Sequence, residues 1–145
     1  MKRRTIGILG VLAMALSLGV ATNAQEPAPL PFPASIGDIA AVRLVEVKDV
    51  SGQVVLSGTF GASVQTTSGT ERTAPLTAVT GATAKGTAEF EVGTATGVAM
   101  NELDVDIDDL APSTQYRLFI DEVEIASFTT DADGDAELEF GEDDA

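Results

Sequence analysis

The main pattern of the chain beyond residue 41 is the alternation of apolar and polar positions along short runs. Residues 103 to 108 read LDVDID, so aliphatic side chains alternate with aspartates, which is the period of a strand with one buried face. The same period recurs at 85 to 92 and at 136 to 140. Beyond residue 41 no run sustains the 3.6-residue period of an amphipathic helix. The pattern predicts an all-β fold.

Turn-forming residues divide these runs. Ser51-Gly52 lies between the apolar runs 42 to 50 and 54 to 60, which predicts a hairpin. Residues 72 to 80 (RTAPLTAVT) are the next candidate strand, and Pro75 favours an edge position because it has no backbone N–H. The acidic turn 131 to 135 separates the last two runs.

The spacing of two runs also predicts a crowded acidic surface. If residues 85 to 92 pair with residues 102 to 110 across the short loop between them, Glu89 and Glu91 share an outer face with the aspartates at 104, 106 and 108. Like charges on opposed strands cost roughly 0.2 to 1 kcal/mol per pair. Bound Ca²⁺, high salt or a basic partner would relieve this repulsion, and a hydrated face that tolerates it is the alternative.

The segment that follows carries a motif. Leu110, Pro112, Thr114 and Tyr116 form an L-x-P-x-T-x-Y pattern that resembles the corner of fibronectin type III and related immunoglobulin-like modules, including secreted bacterial β-modules. This resemblance implies an antiparallel β-sandwich of about seven or eight strands. It also implies a structural role for Tyr116, whose hydroxyl would bond the backbone a few residues upstream.

The beginning of the chain predicts export. Lys2, Arg3 and Arg4 precede an apolar run from residue 6 to 20, and small residues surround a cleavage position after Ala24, as in a secretory signal peptide. We therefore predict a signal peptide at 1–24, a proline-rich linker at 25–34 and one domain at 35–145, in a secreted or periplasmic protein without membrane insertion after cleavage.

The charge balance bears on partners. The formal net charge of the chain is −15, and removal of residues 1–24 leaves five basic residues against 23 acidic ones, a net charge of −18. Nucleic acids and anionic membranes need basic surface, so neither is an expected partner. An unidentified protein or envelope component with basic groups remains as a partner, as do divalent metals, and simple solubility or a high-salt habitat would also explain the acidity.

The residue types present restrict the chemistry. The chain contains no His, Cys or Trp, which removes the common general base, thiol nucleophiles and disulfides. We therefore expect no enzymatic activity and no catalytic residues. Paired carboxylates leave a carboxylate-dependent hydrolase as the last alternative.

The acidic turn is the candidate metal site. With Asp131 as position 1, Asp133, Asp135 and Glu142 fall at positions 3, 5 and 12 of a calcium loop. Ala136 stands at position 6, where such a loop needs glycine. A hairpin turn with Asp133-Gly134 at its tip is therefore the favoured interpretation of this segment, and calcium is the alternative cofactor in a chain otherwise expected to need none.

These observations lead to one functional expectation with alternatives. The chain is expected to be a non-catalytic binding or structural module of the cell envelope. A calcium-binding β-sandwich module that uses the turn 131–135 is the first alternative, and a hydrolase is the second. The identity of the partner does not follow from the sequence.

Overall fold

The computed structural model describes residues 29–95 and 98–141, and of residues 94, 95, 98 and 99 it describes the backbone alone. The predicted signal peptide, residues 25–28 of the predicted linker and Glu142 lie outside the described residues. Strands make up 59% of the structure, and the described residues contain no α-helix. The predicted all-β class is confirmed.

Within the described residues, ten strands follow one another, and one 3₁₀ turn at Ile39–Ala41 precedes the second strand. The strands are β1 (Leu30–Pro31), β2 (Leu44–Asp49), β3 (Val54–Thr59), β4 (Val64–Gln65), β5 (Gly69–Ala78), β6 (Lys85–Ala95), β7 (Val98–Asp108), β8 (Gln115–Ile120), β9 (Val123–Thr129) and β10 (Ala136–Gly141).

All ten strands belong to one curled, mixed sheet. The order is β1-β10-β7-β6-β5-β3-β2-β8-β9, with β4 attached to β5. Neighbouring strands are antiparallel except β1, which runs parallel to β10. The expected number of strands was lower because β1 and β4 have only two residues each, too few to produce a visible alternation in the sequence.

One apolar core joins the two halves of the sheet. Side chains from β2, β8, β6, β7 and β10 belong to the same buried cluster. The largest fully buried side chains are those of Phe90, Phe140, Leu56, Leu76, Leu103, Ile107, Leu118, Val45, Val47 and Val105. These five strands contribute alternate residues to the core, as the period-two pattern of the sequence predicted.

Phe90 is the aromatic centre of this core. Its ring lies 4.8 Å from the ring of Phe60, which follows β3, and 6.3 Å from that of Phe32, which follows β1. Contacts at these centroid distances add to the stabilisation from burial. Phe32, which lies within the predicted linker 25–34, is therefore packed onto the core of the domain.

A buried arginine holds the segment before β2 against β5. Arg72 on β5 is 8% exposed, and its guanidinium donates to the backbone oxygens of Gly61, Ile39, Val42 and Phe60. The planar fork of guanidinium donors suits several carbonyl acceptors at once. Arg72 thus ties β5 to the segment before β2 and to the end of β3.

The expectation that Pro75 marks an edge strand is wrong. β5 lies between β6 and β3, but β3 pairs only with Thr77 and Ala78. Thr73 accepts a backbone hydrogen bond from Gly61 on that side, and Pro75, two residues later, turns its nitrogen the same way. The nitrogen of Pro75 therefore points to a place where β3 forms no strand pairing with β5, so no hydrogen bond of the sheet needs an N–H there. An inner strand can accommodate proline at such a position.

The predicted corner connects β7 to β8 and is built as a hydrogen-bonded unit. Tyr116 is buried, and its hydroxyl accepts a hydrogen bond of 3.3 Å from the amide of Ala111, five residues upstream. The Thr114 hydroxyl donates to the carbonyl of Pro112 at 2.8 Å, and the buried Leu110 completes the corner. These contacts match what the resemblance implied for Tyr116.

The acidic turn packs directly against this corner through a glycine. Gly134 has a φ of +88°, and a Cβ at this position would lie 2.0 Å from the carbonyl oxygen of Leu110. The carbonyl of Gly134 also accepts from the amide of Leu110 at 3.0 Å. Both the conformation and the close approach require glycine here.

A comparison of alanine at Gly134 and at Gly81 separates the effect of the backbone conformation from that of the close contact. We expect Gly134→Ala to lower the free energy of unfolding by more than about 3 kcal/mol, because backbone strain adds to a collision with backbone. Gly81 has a φ of +65°, and a Cβ added there would meet no atom within 4 Å, so Gly81→Ala should cost only about 1 kcal/mol. Urea unfolding measures both, and equal losses would contradict the packing argument.

Candidate functional site

Four neighbouring strands present a continuous acidic surface, which we call the acidic face. It lies on the side of β10, β7, β6 and β5 that points away from the core. Its carboxylates are those of Glu71, Glu89, Glu91, Glu102, Asp104, Asp106, Asp108, Glu137 and Glu139.

The strand register places these carboxylates in rows across the sheet. Asp104 on β7 is opposite Glu139 on one side and Glu89 on the other. A second row joins Glu102 to Glu91, and Glu91 to Glu71. The pairing of β6 with β7 predicted from their short connection is confirmed.

The core explains why the acidic residues share one side. Leu103, Val105 and Ile107 on β7 are at most 1% exposed, and the aspartates between them must therefore point to the opposite face. The same holds for Glu89 beside Phe90 on β6. A one-residue slip of any of these strands would bury carboxylates, so the register is strongly fixed.

Crowding changes the acidity of the central carboxylate. Desolvation, followed by repulsion from Glu139, Glu102, Glu89 and Asp106, raises the pKa of Asp104 from 3.8 to about 7. Because Asp104 is nevertheless exposed to solvent, repulsion from its neighbours outweighs desolvation as the cause of this shift. Asp104 thus combines a raised pKa with a position opposite a carboxylate on each neighbouring strand.

Positive side chains lie mostly elsewhere in the described part of the chain. Lys85, the first residue of β6, is opposite Asp108. Lys48 pairs with Glu46 at 3.4 Å, and Arg117 pairs with Glu124 at 3.7 Å, on the half of the sheet formed by β2, β8 and β9. The molecule is therefore electrically asymmetric, with an acidic half and a half of mixed charge.

The acidic turn uses its first aspartate as a structural cap. One carboxylate oxygen of Asp131 accepts from the amides of Asp133 at 2.9 Å and Asp135 at 3.0 Å. The carboxylate of Asp135 accepts from the amide of Asp109 at 3.1 Å. These contacts are those of an Asx-type turn that stabilises a hairpin.

Within residues 29–95 and 98–141, no three acidic side chains converge closely enough to hold a metal ion. The candidate ligands Asp131, Asp133 and Asp135 share one turn, whereas the fourth, Glu142, lies outside the described residues. The hypothesis of a calcium site is neither supported nor tested by this geometry.

Sequence reasoning missed one structural carboxylate in the β8–β9 hairpin. Asp121 has a φ of +45°, and its side chain accepts from the amides of Arg43 at 3.0 Å and Leu44 at 2.8 Å. The turn Asp121-Glu122 contains no glycine, so the usual sign of a tight hairpin was absent. Aspartate at position 121 tolerates this conformation and also anchors the start of β2.

Two cavities lie beneath the N-terminal segment, away from the acidic face. One of about 460 Å³ is lined by Phe32, Ile36 and Asn101 among others, and one of about 300 Å³ adds Arg72 and Val92. Neither cavity is lined by Asp104 or by the carboxylates opposite it. Asp104 thus has the raised pKa of a general acid without an adjoining substrate cavity among these two.

No protein-family model, no curated protein and no solved structure matches the chain. In the part of the chain that the structure describes, no helix is long and apolar enough to cross a membrane.

Neutralising Asp104 should stabilise the protein in a pH-dependent way. The pKa of Asp104 in the folded protein lies above the usual 3.8. The contribution of this group to the free energy of unfolding is therefore most favourable below pH 3.8, and it is lost as the pH rises through about 7. We expect Asp104→Asn to raise the free energy of unfolding by about 1 kcal/mol at pH 8, after allowance for solvent screening, and to have no effect near pH 4.

Asp108→Asn is the matched control, because Asp108 is opposite Lys85 instead of another acid. Thermal unfolding of both variants at the two pH values provides the measurement. If Asp108→Asn stabilised the protein equally at pH 8, the effect would come from net charge, and the proposed role of the row of carboxylates around Asp104 would be contradicted.

Proposed function

We propose that the chain is a non-catalytic binding or structural module of the cell envelope whose acidic face meets a basic partner. The observation that carries this proposal is the arrangement of nine carboxylates across four strands, centred on Asp104. Such a face attracts cationic groups and speeds their association.

The geometry favours a distributed partner over a single small ion. Adjacent strands lie about 4.8 Å apart, and side chains on one face of a strand repeat about every 6.8 Å, so the carboxylates form a grid instead of a cage. Lysine and arginine side chains on an extended surface can each approach a different carboxylate. Partial neutralisation of the rows would also relieve the repulsion that raises the pKa of Asp104.

An immunoglobulin-like sandwich remains our proposal for the finer fold. It is supported by the curled sheet with one core shared between its halves and by the buried Tyr116 in its corner. The two faces of such a sandwich are available for binding while the core stays closed. The secreted or periplasmic location is likewise a proposal, supported by the charge and apolar pattern of residues 1–24.

Charge-matched variants test the acidic face. The face variant combines Glu89→Gln, Asp104→Asn and Glu139→Gln, and the control combines Asp109→Asn, Glu122→Gln and Asp133→Asn at exposed turn positions. The probe is a ten-residue lysine peptide in calorimetric titration at about 50 mM and 500 mM salt. We expect the face variant to bind about tenfold more weakly at low salt and the control to lose less than about threefold.

Equal losses in the two variants would show that net charge alone attracts the peptide, and the proposed face would then be wrong. Binding that survives at high salt without change would also contradict a surface that acts through screened charges. With a specific face, the affinity difference between the variants shrinks as salt increases.

The second candidate function is calcium binding at the acidic turn. It is favoured by three aspartates, at 131, 133 and 135, within one five-residue turn. If calcium binds there, Ca²⁺ in low-salt buffer should raise the midpoint of thermal unfolding clearly more than Mg²⁺ at the same concentration, relative to chelator. Equal shifts with the two ions would indicate screening of the acidic face and reject a selective site.

Two single variants locate any calcium effect. Asp133→Asn should abolish the Ca²⁺-specific shift, whereas Asp104→Asn should leave it intact, because Asp104 belongs to the acidic face. Asp131→Asn is less informative, since its carboxylate caps the turn in the absence of any ion.

A further inference from the structure

The proline-rich segment that leads into the domain occupies an edge of the sheet. β1 runs parallel to the end of β10, with Leu30 opposite Phe140 and Pro31 opposite Gly141. The amide of Phe32 donates to the carbonyl of Gly141 at 3.2 Å. Within the described residues, β1 is the last strand on this side of the sheet.

The prolines alternate with the residues that make these bonds. In an extended segment, the backbone polar groups of alternate residues point to the same side. Leu30 and Phe32 direct theirs toward β10, so Pro31 directs its own to the outside, and Pro29, two residues earlier, does the same. Proline has no N–H, and this outer side therefore offers carbonyl acceptors without the donors that a further strand needs.

We propose that Pro29 and Pro31, followed by Pro33 where the segment turns onto the core, form an edge cap that stops another strand from extending the sheet at β1. A sheet edge with unpaired donors and acceptors is a template for pairing with other chains, and proline on the outermost strand is one means of preventing it. The parallel pairing requires donors at 30 and 32 only. The alternation of proline with other residues thus retains the hydrogen bonds to β10 and leaves the outer side of β1 without N–H donors.

Side-chain packing holds the cap in place. Phe32 is partly buried and contacts the ring of Phe90 edge-on. The carbonyl of Pro33 accepts from the amide of Ile36 at 3.0 Å, and Ile36 is itself buried. The segment is therefore anchored on the core immediately after the prolines.

Charge protects the part of β10 that the cap does not cover. β1 pairs only with Phe140 and Gly141, whereas Glu137 and Glu139 lie on the stretch before them. Charged side chains on an edge discourage pairing with another strand. Proline and carboxylate thus protect successive parts of the same edge, and a partner of the acidic face meets side chains instead of backbone.

Self-association of the chain 25–145 tests the cap. The variants are Pro31→Ala, the triple replacement of Pro29, Pro31 and Pro33 by alanine, and the control Pro112→Ala at an exposed turn. Sedimentation analysis in about 1 M NaCl removes the repulsion between acidic molecules, since the screening length falls to about 3 Å. We expect the triple variant to associate at least about tenfold more strongly than the wild type, Pro31→Ala to a smaller degree, and the control not at all.

Hydrogen exchange at the amide of Phe32 reports whether the segment stays bound in each variant. If the triple variant remains as monomeric as the wild type, the proposal is wrong whether the segment is bound or released, because either state exposes backbone donors at this edge. Association of Pro112→Ala to the same extent as Pro31→Ala would also overturn it.

Discussion

The carboxylates on β6, β7 and β10 lie close together because the side chains between them are packed in the core. Successive side chains of a strand point to opposite faces of the sheet, so the burial of one set fixes the position of the other. Each residue of β7 between 103 and 108 belongs either to the core or to the acidic face, and the two sets alternate without exception. Burial of Leu103, Val105 and Ile107 therefore forces Asp104 into a row with Glu89 and Glu139. Fully burying an aliphatic side chain contributes about 1.5 to 3 kcal/mol, whereas a like-charge pair costs roughly 0.2 to 1 kcal/mol. Burial in the core therefore determines the register of the strands, and the repulsion on the acidic face is the smaller, opposing contribution.

Sequence reasoning succeeded where neighbouring strands are close in sequence. The β2–β3 hairpin around Gly52 and the β6–β7 pair could be predicted because alternation and turn chemistry are local signals. The shared face of Glu89 and Asp104 followed from that pairing. The hydrogen bond of Tyr116 to Ala111 matched the corner motif, which is also local.

Contacts between distant segments could not be predicted in this way. Glu139 joins the Asp104 row only because β10 pairs with β7, and alternation alone cannot choose between possible neighbours of β10. Arg72 gave no sign of burial, because its acceptors are backbone carbonyls around Ile39 and Gly61 that no side-chain pattern reveals. The carboxylate of Asp131 accepts from amides of its own turn, and that of Asp135 accepts from the amide of Asp109, 26 residues earlier. The spacing of these aspartates gave no sign of the second contact, since short acidic side chains can cap turns as well as bind metals.

The two edges of the sheet are protected by different means, and this difference bears on how a partner could bind. At one edge, Pro31 removes donors from the outer side of β1. At the other, the pairing of β9 with β8 passes from Ala126 to Glu124 and leaves Ile125 as a bulge, which disturbs the regular spacing that an added strand would need. Strand addition is therefore opposed at both ends of the described sheet. The surface left for recognition is a face, and only on β10, β7, β6 and β5 does that face carry a concentrated charge that a partner can complement.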